Sequence, residues 1–179
     1  MISDNIDIDI SSQSENWAAY CPDYSAYIES CFEQIIGGVP EAICLMRLPH
    51  LELSILLTDD HNIRQLNKEY RDKDKATNVL SFPSLSYNDF QNYQKPGGLI
   101  PEYPVALGDI IFAFETIKHE AEAQNKKFSD HFCHLYIHGM LHLLGYDHQE
   151  EGPARNMESL EKKLLSQLSI DDPYQDRDN

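Results

Sequence analysis

Residues 129–144 read SDHFCHLYIHGMLHLL, an apolar stretch interrupted by histidines at helical spacing. The pattern predicts one long helix, which Ser129 or Asp130 could cap at its start. Gly145 follows directly and is suited to end the helix, because glycine adopts the left-handed conformation at no steric cost. We therefore expect a helix that ends in a sharp turn, with a further histidine close behind it.

Three histidines around this turn have the spacing of metal ligands. His138 and His142 are four residues apart, so one face of the helix carries both, about 5–6 Å apart at Cβ. His148 follows three residues after the glycine, which gives the ligand spacing of the H-E-x-x-H-x-x-G-x-x-H pattern. Three neutral imidazoles leave a fourth position open, as in catalytic zinc sites. The spacing predicts a zincin-like helix that binds one Zn²⁺ per chain, although Ni²⁺ or another divalent ion also suits imidazole.

The neighbouring side chains allow other assignments. His134 lies four residues before His138 and could complete a stripe of three histidines along the helix. We favour His148 as the third ligand, because a turn at the glycine would bend the chain back towards the helix. His134 is then a neighbour of the site. His131 is expected to be solvated or to cap the helix. Asp147 could orient a ligand imidazole, or could satisfy its own turn backbone.

The residue after the first ligand is Gly139, where zinc peptidases carry the glutamate that takes a proton from water. A peptidase of that mechanism has therefore lost its general base. The predicted site keeps a metal ion as a Lewis acid, but it needs another group to stabilise the charge that develops in the reaction. An anionic substrate such as a phosphodiester suits a metal that lies beside an arginine.

The other periodicities predict a small mixed fold. Strands are predicted at 5–11, 42–48, 52–58, 77–83 and 107–112, and helices at 24–36, 59–70, 113–127, 129–144 and 151–168. Residues 84–106, rich in Asn, Gly, Pro and Tyr, predict a long loop. The order is not a regular strand–helix alternation, which argues against a doubly wound parallel sheet. We expect a single α+β domain over residues 1–170, with about four or five strands and about five helices, and an acidic solvated tail at 171–179.

The charge of the chain is uneven. A formal net charge of −16 over 179 residues argues by itself against nucleic acid as a partner, since phosphate binding relies on Lys and Arg. Residues 64–75, RQLNKEYRDKDK, nevertheless hold five basic and three acidic residues. Arg71 in this window supplies a planar fork suited to phosphate. Arg64 and Lys68 could instead be solvated groups that favour the helix end.

The composition also indicates a compartment. No apolar run approaches the ~20 residues that a membrane span needs, and residues 1–17 lack the features of a signal peptide. The four cysteines form no CxxC pair and are expected to be small buried hydrophobes. We therefore expect a cytoplasmic protein without a membrane partner.

Three motifs taken together resemble the YbeY family of ribosome-associated, metal-dependent endoribonucleases. HGMLHLLGYDH at 138–148 is similar to the family signature, YRDKDKATNVLSFP at 70–83 to a second block, and LGDI at 107–110 to a third. Their order and separations also agree. Residues 84–106 are longer than the loop usual in the family, and Asn78 stands where relatives have Asn or Asp.

This resemblance implies a compact α/β fold, with a helical layer beside a small mixed sheet, and a zinc-type ion on His138, His142 and His148. It also implies an essential arginine in the cleft, which matches Arg71. The implied activity is hydrolysis of single-stranded RNA. The implied role is maturation of ribosomal RNA, notably the 3′ end of the small-subunit RNA, and ribosome quality control.

The residues around these motifs suggest further roles and leave alternatives open. Lys73 and Lys75 are expected to follow the RNA backbone, and Asp109 either contacts the site or caps a turn. Because no residue is an obvious general base, either activated water or the 2′-OH of the RNA attacks. Two other functions fit the motifs: a metallohydrolase of a different substrate, and a ribosome assembly factor with a structural metal that binds basic ribosomal proteins. The oligomeric state is left open.

Overall fold

A computed structural model describes residues 5–146 and 151–175, and describes the backbone alone for 151–153. Along the chain the elements are β1 (Ile6–Ser12), α1 (Glu15–Tyr20), α2 (Tyr24–Gly38), a 3₁₀ helix (Pro40–Arg47), β2 (Leu51–Thr58), α3 (Asp60–Arg71), β3 (Val79–Pro83), α4 (Tyr87–Gln94), β4 (Val105–Ala113), α5 (Phe114–Ala123), α6 (Phe128–Leu143) and α7 (Glu151–Gln167). The seven α-helices of the described residues exceed the expected number of about five because α1 and α4 were not predicted.

The sheet is mixed, as predicted. Its strand order is β1-β2-β4-β3, with β1, β2 and β4 parallel and β3 antiparallel to β4. Val79 pairs with Phe112, and Pro83, which has no N–H to donate, ends the ladder opposite Gly108. The antiparallel strand β3, with the sequence VLSFP, therefore forms one edge of the sheet. It lies next to the site described below.

The two faces of the sheet are covered unequally. Alternating apolar residues of β2, such as Leu53 and Ile55, are fully buried in the main core, to which α2, α6 and α7 contribute. The opposite face packs against α3 through a smaller cluster of Ile63, Leu80 and Ile111. Helix α6 lies within the main core, so its polar side chains can reach solvent only where the neighbouring elements leave a gap.

The strand predicted at 42–48 is wrong. This segment belongs to the 3₁₀ helix, whose first residue is Pro40. Ala42, Leu45 and Leu48 are all buried, and their spacing of three matches the three residues per turn of a 3₁₀ helix. The short apolar run was misread because periodicity alone does not distinguish a strand from a buried helical segment in a run of this length.

The loop predicted at 84–106 contains helix α4. Ser86 caps this helix, because its hydroxyl accepts a hydrogen bond from the backbone N–H of Asp89 at 3.1 Å. Phe90 and Tyr93 are buried on one side of the helix and attach the segment to the core. The segment therefore has its own secondary structure and anchor residues.

Helix α6 starts differently from the prediction but ends at the predicted turn. Neither Ser129 nor Asp130 caps the helix, which begins earlier, at Phe128, without a side-chain cap. The ring of Phe128 packs 5.6 Å from the ring of Trp17, and this packing fixes the start instead. At the other end, Gly145 has a φ of 89°, so the predicted glycine turn is confirmed.

Two expectations from composition can be compared with the structure. All four cysteines are buried free thiols, which confirms their prediction as small buried hydrophobes. In the part of the chain that is described, no helix has both the length and the apolar character required to cross a membrane.

Candidate functional site

His138 and His142 lie one turn apart on α6, as their spacing predicts, and their Nε2 atoms are 3.1 Å apart. His138 Nδ1 is 2.5 Å from Glu161 Oε1, and His142 Nδ1 is 3.0 Å from the carbonyl oxygen of Tyr146. Because both partners are acceptors, each ring donates through Nδ1 and presents the lone pair of Nε2. Two imidazole nitrogens bound tetrahedrally to zinc lie about 3.3 Å apart. The pair therefore fits two positions of a divalent metal site.

Glu161 of α7 is a part of the site that the motifs do not reveal. Burial alone would raise the pKa of this carboxyl, but His134 and His138 beside it outweigh burial and lower its pKa to about 2. An ionised carboxylate therefore holds the Nδ1–H of His138, as in the carboxylate–histidine pairs of many metal sites. The available signal was its position among the buried residues Met157 and Leu164, which puts a carboxyl on the apolar face of α7.

The other predicted members of the metal site lie outside the described residues. They are His148 and Asp147, so the third ligand and its candidate partner stay predictions. Considering only described residues, no group of three or more His, Cys, Asp or Glu side chains is arranged to hold a metal ion. The zincin-like character of α6 therefore stays a prediction that two histidines support.

Tyr146, which precedes the undescribed segment, is held at both its backbone and its side chain. Its carbonyl accepts from His142, and its hydroxyl donates to Glu41 Oε2 at 2.6 Å. Burial and the hydrogen bond to Glu41 raise the pKa of Tyr146, so its hydroxyl stays protonated. The position of the carbonyl that orients His142 is thus fixed by a contact with the 3₁₀ helix.

Gly139 shows why a glutamate has no place after the first histidine. A Cβ atom at this position would lie 3.0 Å from Ser81 Oγ and 3.0 Å from Ile110 Cγ2. Helix α6 therefore packs directly on β3 and β4 at this residue, and a longer side chain would force the helix away from the sheet.

We expect Gly139→Val to lower the free energy of unfolding by about 1–3 kcal/mol more than Gly37→Val, because overpacking destabilises a close contact. Gly37 is a matched control, since it also lies in a helix but has no atom within 4 Å of an added Cβ. The same change in helix propensity applies to both substitutions and cancels in the comparison. Urea unfolding of the two variants measures the difference. Equal losses in the two variants would show that the contact has no steric consequence.

A cleft of about 600 Å³ lies between α6 and the segment that joins α3 to β3. It brings together five predicted site residues: Arg71, Lys73, Lys75, His138 and His142. The metal-ligand candidates therefore face the basic window across one cavity, although the two motifs are more than sixty residues apart in sequence.

Arg71, the last residue of α3, is anchored on β3. Its Nη2 donates to the carbonyl oxygen of Ser81 at 2.9 Å, and its guanidinium carbon lies 5.4 Å from the centre of the Phe82 ring. Ser81 is also the residue whose hydroxyl packs beside Gly139. Ser81 of β3 thus lies between Arg71 and helix α6.

The other two cations of α3 are paired with Asp74. Arg64 Nε is 2.8 Å and Lys68 Nζ is 3.2 Å from the two carboxylate oxygens of Asp74. Hydrogen bonds from Arg64 and Lys68 lower the pKa of this carboxyl, which therefore stays ionised. Among the described residues, Arg71, Lys73 and Lys75 form no such ion pair, so the positive charge of the window is directed into the cleft.

Asn67 fixes the segment that carries the two lysines, and no motif identified it. Its side-chain amide donates to the carbonyl of Lys75 at 2.8 Å, and its own carbonyl accepts from the N–H of Lys73 at 3.2 Å. Asp72 adopts the left-handed conformation between them, with a φ of 56°. The available signal was a polar residue four positions after Ile63, on the apolar face of α3.

A second polar group lies beside the cleft. Asn78 lines the cleft and donates to both carboxylate oxygens of Glu120, at 3.0 and 3.2 Å. His131 Nε2 lies 2.7 Å from Glu120 Oε2. The prediction that His131 is solvated or caps the helix is wrong, because the ring is 4% exposed and pairs with this acid.

Two candidate neighbours of the site have different positions. His134 lies near the site, since its Nε2 is 3.7 Å from Glu161 Oε2, and burial lowers its pKa. Asp109 is exposed on β4 and shares a sheet face with Ile111, which packs towards α3. The intervening Ile110 faces Gly139 of α6. The structure therefore does not bring Asp109 to the histidines.

Comparisons with known proteins show which family this chain belongs to. A sequence model of the family described as Endoribonuclease YbeY matches residues 14–169. The Endoribonuclease YbeY of Agrobacterium fabrum is 43% identical over 171 residues, which cover 94% of this chain and 95% of that protein. The one from Paramagnetospirillum magneticum is 42% identical over 171 residues, covering 94% of this chain and 96% of its own. A solution structure of a Thermotoga maritima protein is similar in fold, with a TM-score of 0.54 and 24% identity over 90% of this chain and 89% of that one.

Proposed function

The chain belongs to the YbeY family of endoribonucleases, which act in ribosomal RNA processing, and from this premise we propose that its cleft cleaves single-stranded RNA. The observation that carries the proposal is the pair of Nε2 atoms facing three cations across one cavity. A metal site beside three positively charged side chains suits a phosphodiester, because both the substrate and the transition state are anionic.

The proposed metal ligands are His138, His142 and His148, with one Zn²⁺ per chain as the expected ion and Ni²⁺ or another divalent ion as alternatives. A bound divalent ion would supply a Lewis acid for the phosphoryl oxygen or for water. The protein supplies the orientation: Glu161 and the Tyr146 carbonyl hold the two described rings with Nε2 towards the cleft.

Arg71 is proposed to bind the phosphoryl group and stabilise its developing charge. Its hydrogen bond to Ser81 occupies Nη2 and fixes the guanidinium plane. The remaining N–H groups of the fork can then engage a phosphate without a search of side-chain rotamers. Because Gly139 has no side chain, the position that follows the first histidine in sequence supplies no carboxylate to take up the proton of the attacking group.

Lys73 and Lys75 are proposed to follow the backbone of a single strand. They line the cleft beside Arg71, so successive phosphates of one strand can meet successive cations. We further propose that the protein acts in the cytoplasm on the 3′ end of small-subunit ribosomal RNA and in ribosome quality control. The net charge of −16 over the whole chain suits docking on a basic ribosomal protein.

The test is cleavage of a labelled single-stranded RNA and of the same sequence as a duplex, by wild type and by a Lys73→Gln/Lys75→Gln variant. We expect wild type to cleave the single strand alone. In the variant, the slope of log KM against log salt should fall by about 1.4, since each phosphate contact on a single strand contributes about 0.7. The value of kcat should change little, because these lysines are proposed to bind the RNA backbone and not the reacting phosphoryl group.

Lys118→Gln/Lys163→Gln is the matched control, because it also removes two positive charges, and neither lysine lines the cleft. The control should keep the salt slope of wild type. An equal change in both variants would mean that net charge alone governs binding. Equal cleavage of the duplex would contradict the proposed preference for a single strand.

A further inference from the structure

We propose that Tyr174, near the C-terminus, is a positioning residue of the metal site: its hydroxyl orients the Glu161 carboxylate, which in turn orients His138. Tyr174 lies after residue 169, where the match to the family model ends. The inference rests on the proposed function, because it takes His138 as a metal ligand.

The hydrogen bonds of Glu161 support this role. The Tyr174 hydroxyl donates to Glu161 Oε2, while Glu161 Oε1 is 2.5 Å from His138 Nδ1. His134 Nε2 lies 3.3 Å from the same tyrosine hydroxyl and can donate to its oxygen. The carboxylate thus has one donor on each oxygen, and the donor on Oε2 comes from the C-terminal segment.

The segment that carries Tyr174 is attached at several points, although it was expected to be a solvated tail. Lys162 Nζ lies 3.2 Å from Asp172 Oδ2 and 5.7 Å from the centre of the Tyr174 ring. Lys126 Nζ donates to the carbonyl of Pro173 at 3.3 Å. The backbone N–H of Tyr174 donates to Asp172 Oδ1 at 2.8 Å. These contacts hold the segment that carries the hydroxyl of Tyr174.

The burial of Glu161 explains why this donor matters. The side chain of Glu161 is 1% exposed, so water cannot replace a donor that is removed. Without the tyrosine hydroxyl, Oε2 would be left facing His134 Nε2, which is 3.7 Å away. The carboxylate would then turn towards His134 to regain a hydrogen bond, and its hold on His138 would weaken. The expected consequence is weaker metal binding.

The test is the affinity of the metal-depleted full-length chain for Zn²⁺, measured against a competing chelator, in wild type and Tyr174→Phe. We expect Tyr174→Phe to weaken binding about tenfold, the low end of the effect of outer partners on metal affinity. Tyr87→Phe is the matched control, because it removes a hydroxyl from a tyrosine that is 71% exposed, and it should bind as wild type does. Thermal unfolding of the metal-free variants shows whether the substitution acts on folding alone.

A double-mutant cycle with Glu161→Gln tests whether Tyr174 affects metal binding through the Glu161 carboxylate. If Tyr174 acts through the carboxylate, Tyr174→Phe should have no further effect in the Glu161→Gln background. Wild-type affinity in Tyr174→Phe would overturn the inference, and so would an additive loss in the double variant. A wild-type chain that binds no metal would instead overturn the proposed function, and this inference with it.

Discussion

His142→Ala is expected to abolish binding of the divalent ion and to lower cleavage of single-stranded RNA about a thousandfold. The substitution removes one of two imidazoles whose Nε2 atoms are 3.1 Å apart and directed to the same point. A catalytic metal contributes several kcal/mol of transition-state stabilisation, and each 1.4 kcal/mol corresponds to about tenfold in rate. The loss should therefore appear in kcat, together with a loss of bound metal.

The measurement is metal content by mass spectrometry beside the rate of cleavage, with His119→Ala as the matched control. His119 is an exposed histidine of α5 that does not line the cleft. The control should keep both the metal and the rate. A His142→Ala variant that folds, retains its metal and cleaves at the wild-type rate would contradict the assignment of the site.

Arg71→Ala should lower kcat about 10²–10³-fold while leaving the bound metal in place. An electrostatic group aimed at developing charge has an effect of this size in other enzymes. Because the guanidinium is held by Ser81 and packs beside Phe82, its removal leaves the phosphoryl group without a fixed cation on the strand side of the cleft. Arg71→Lys should recover only a part of the rate, since an ammonium group does not reproduce the planar fork.

Arg64→Ala is the control for this prediction. It removes the same side chain from the same helix, but Arg64 pairs with Asp74 and does not line the cleft. Its rate should stay within about twofold of wild type, since exposed ion pairs contribute little. A similar loss in both variants would mean that helix α3, and not the guanidinium of Arg71, determines the rate. Loss of metal from Arg71→Ala would mean that the arginine acts on the metal site itself.

Features that depend on local spacing could be predicted from the sequence. The separation of four residues places His138 and His142 on one helical face, and the turn at Gly145 requires only the chemistry of glycine. The four strands also follow from local patterns, because they alternate or carry short apolar runs. The mixed direction of these strands was implied by the motif similarity alone. The motif similarity implied an arginine in the cleft, and in the structure Arg71, His138 and His142 line one cavity.

Features that depend on contacts between distant segments could not be predicted in this way. Glu161 reaches His138 from another helix, and its role depends on burial that no spacing encodes. Likewise, only the fold shows that Arg64 and Lys68 pair with Asp74. The cations that line the cleft are therefore Arg71, Lys73 and Lys75. The prediction of a strand at 42–48 was wrong for a related reason. A short apolar run does not by itself distinguish a strand from the 3₁₀ helix that the structure has there.

The most direct test of the metal-dependent site is a titration of the metal-depleted chain with Zn²⁺, with bound metal and cleavage of single-stranded RNA followed together. The proposed function predicts that cleavage is absent without metal, rises in proportion to bound metal and reaches a plateau at about one equivalent per chain. Full cleavage by the metal-depleted chain, or metal binding that leaves an inactive chain inactive, would contradict it.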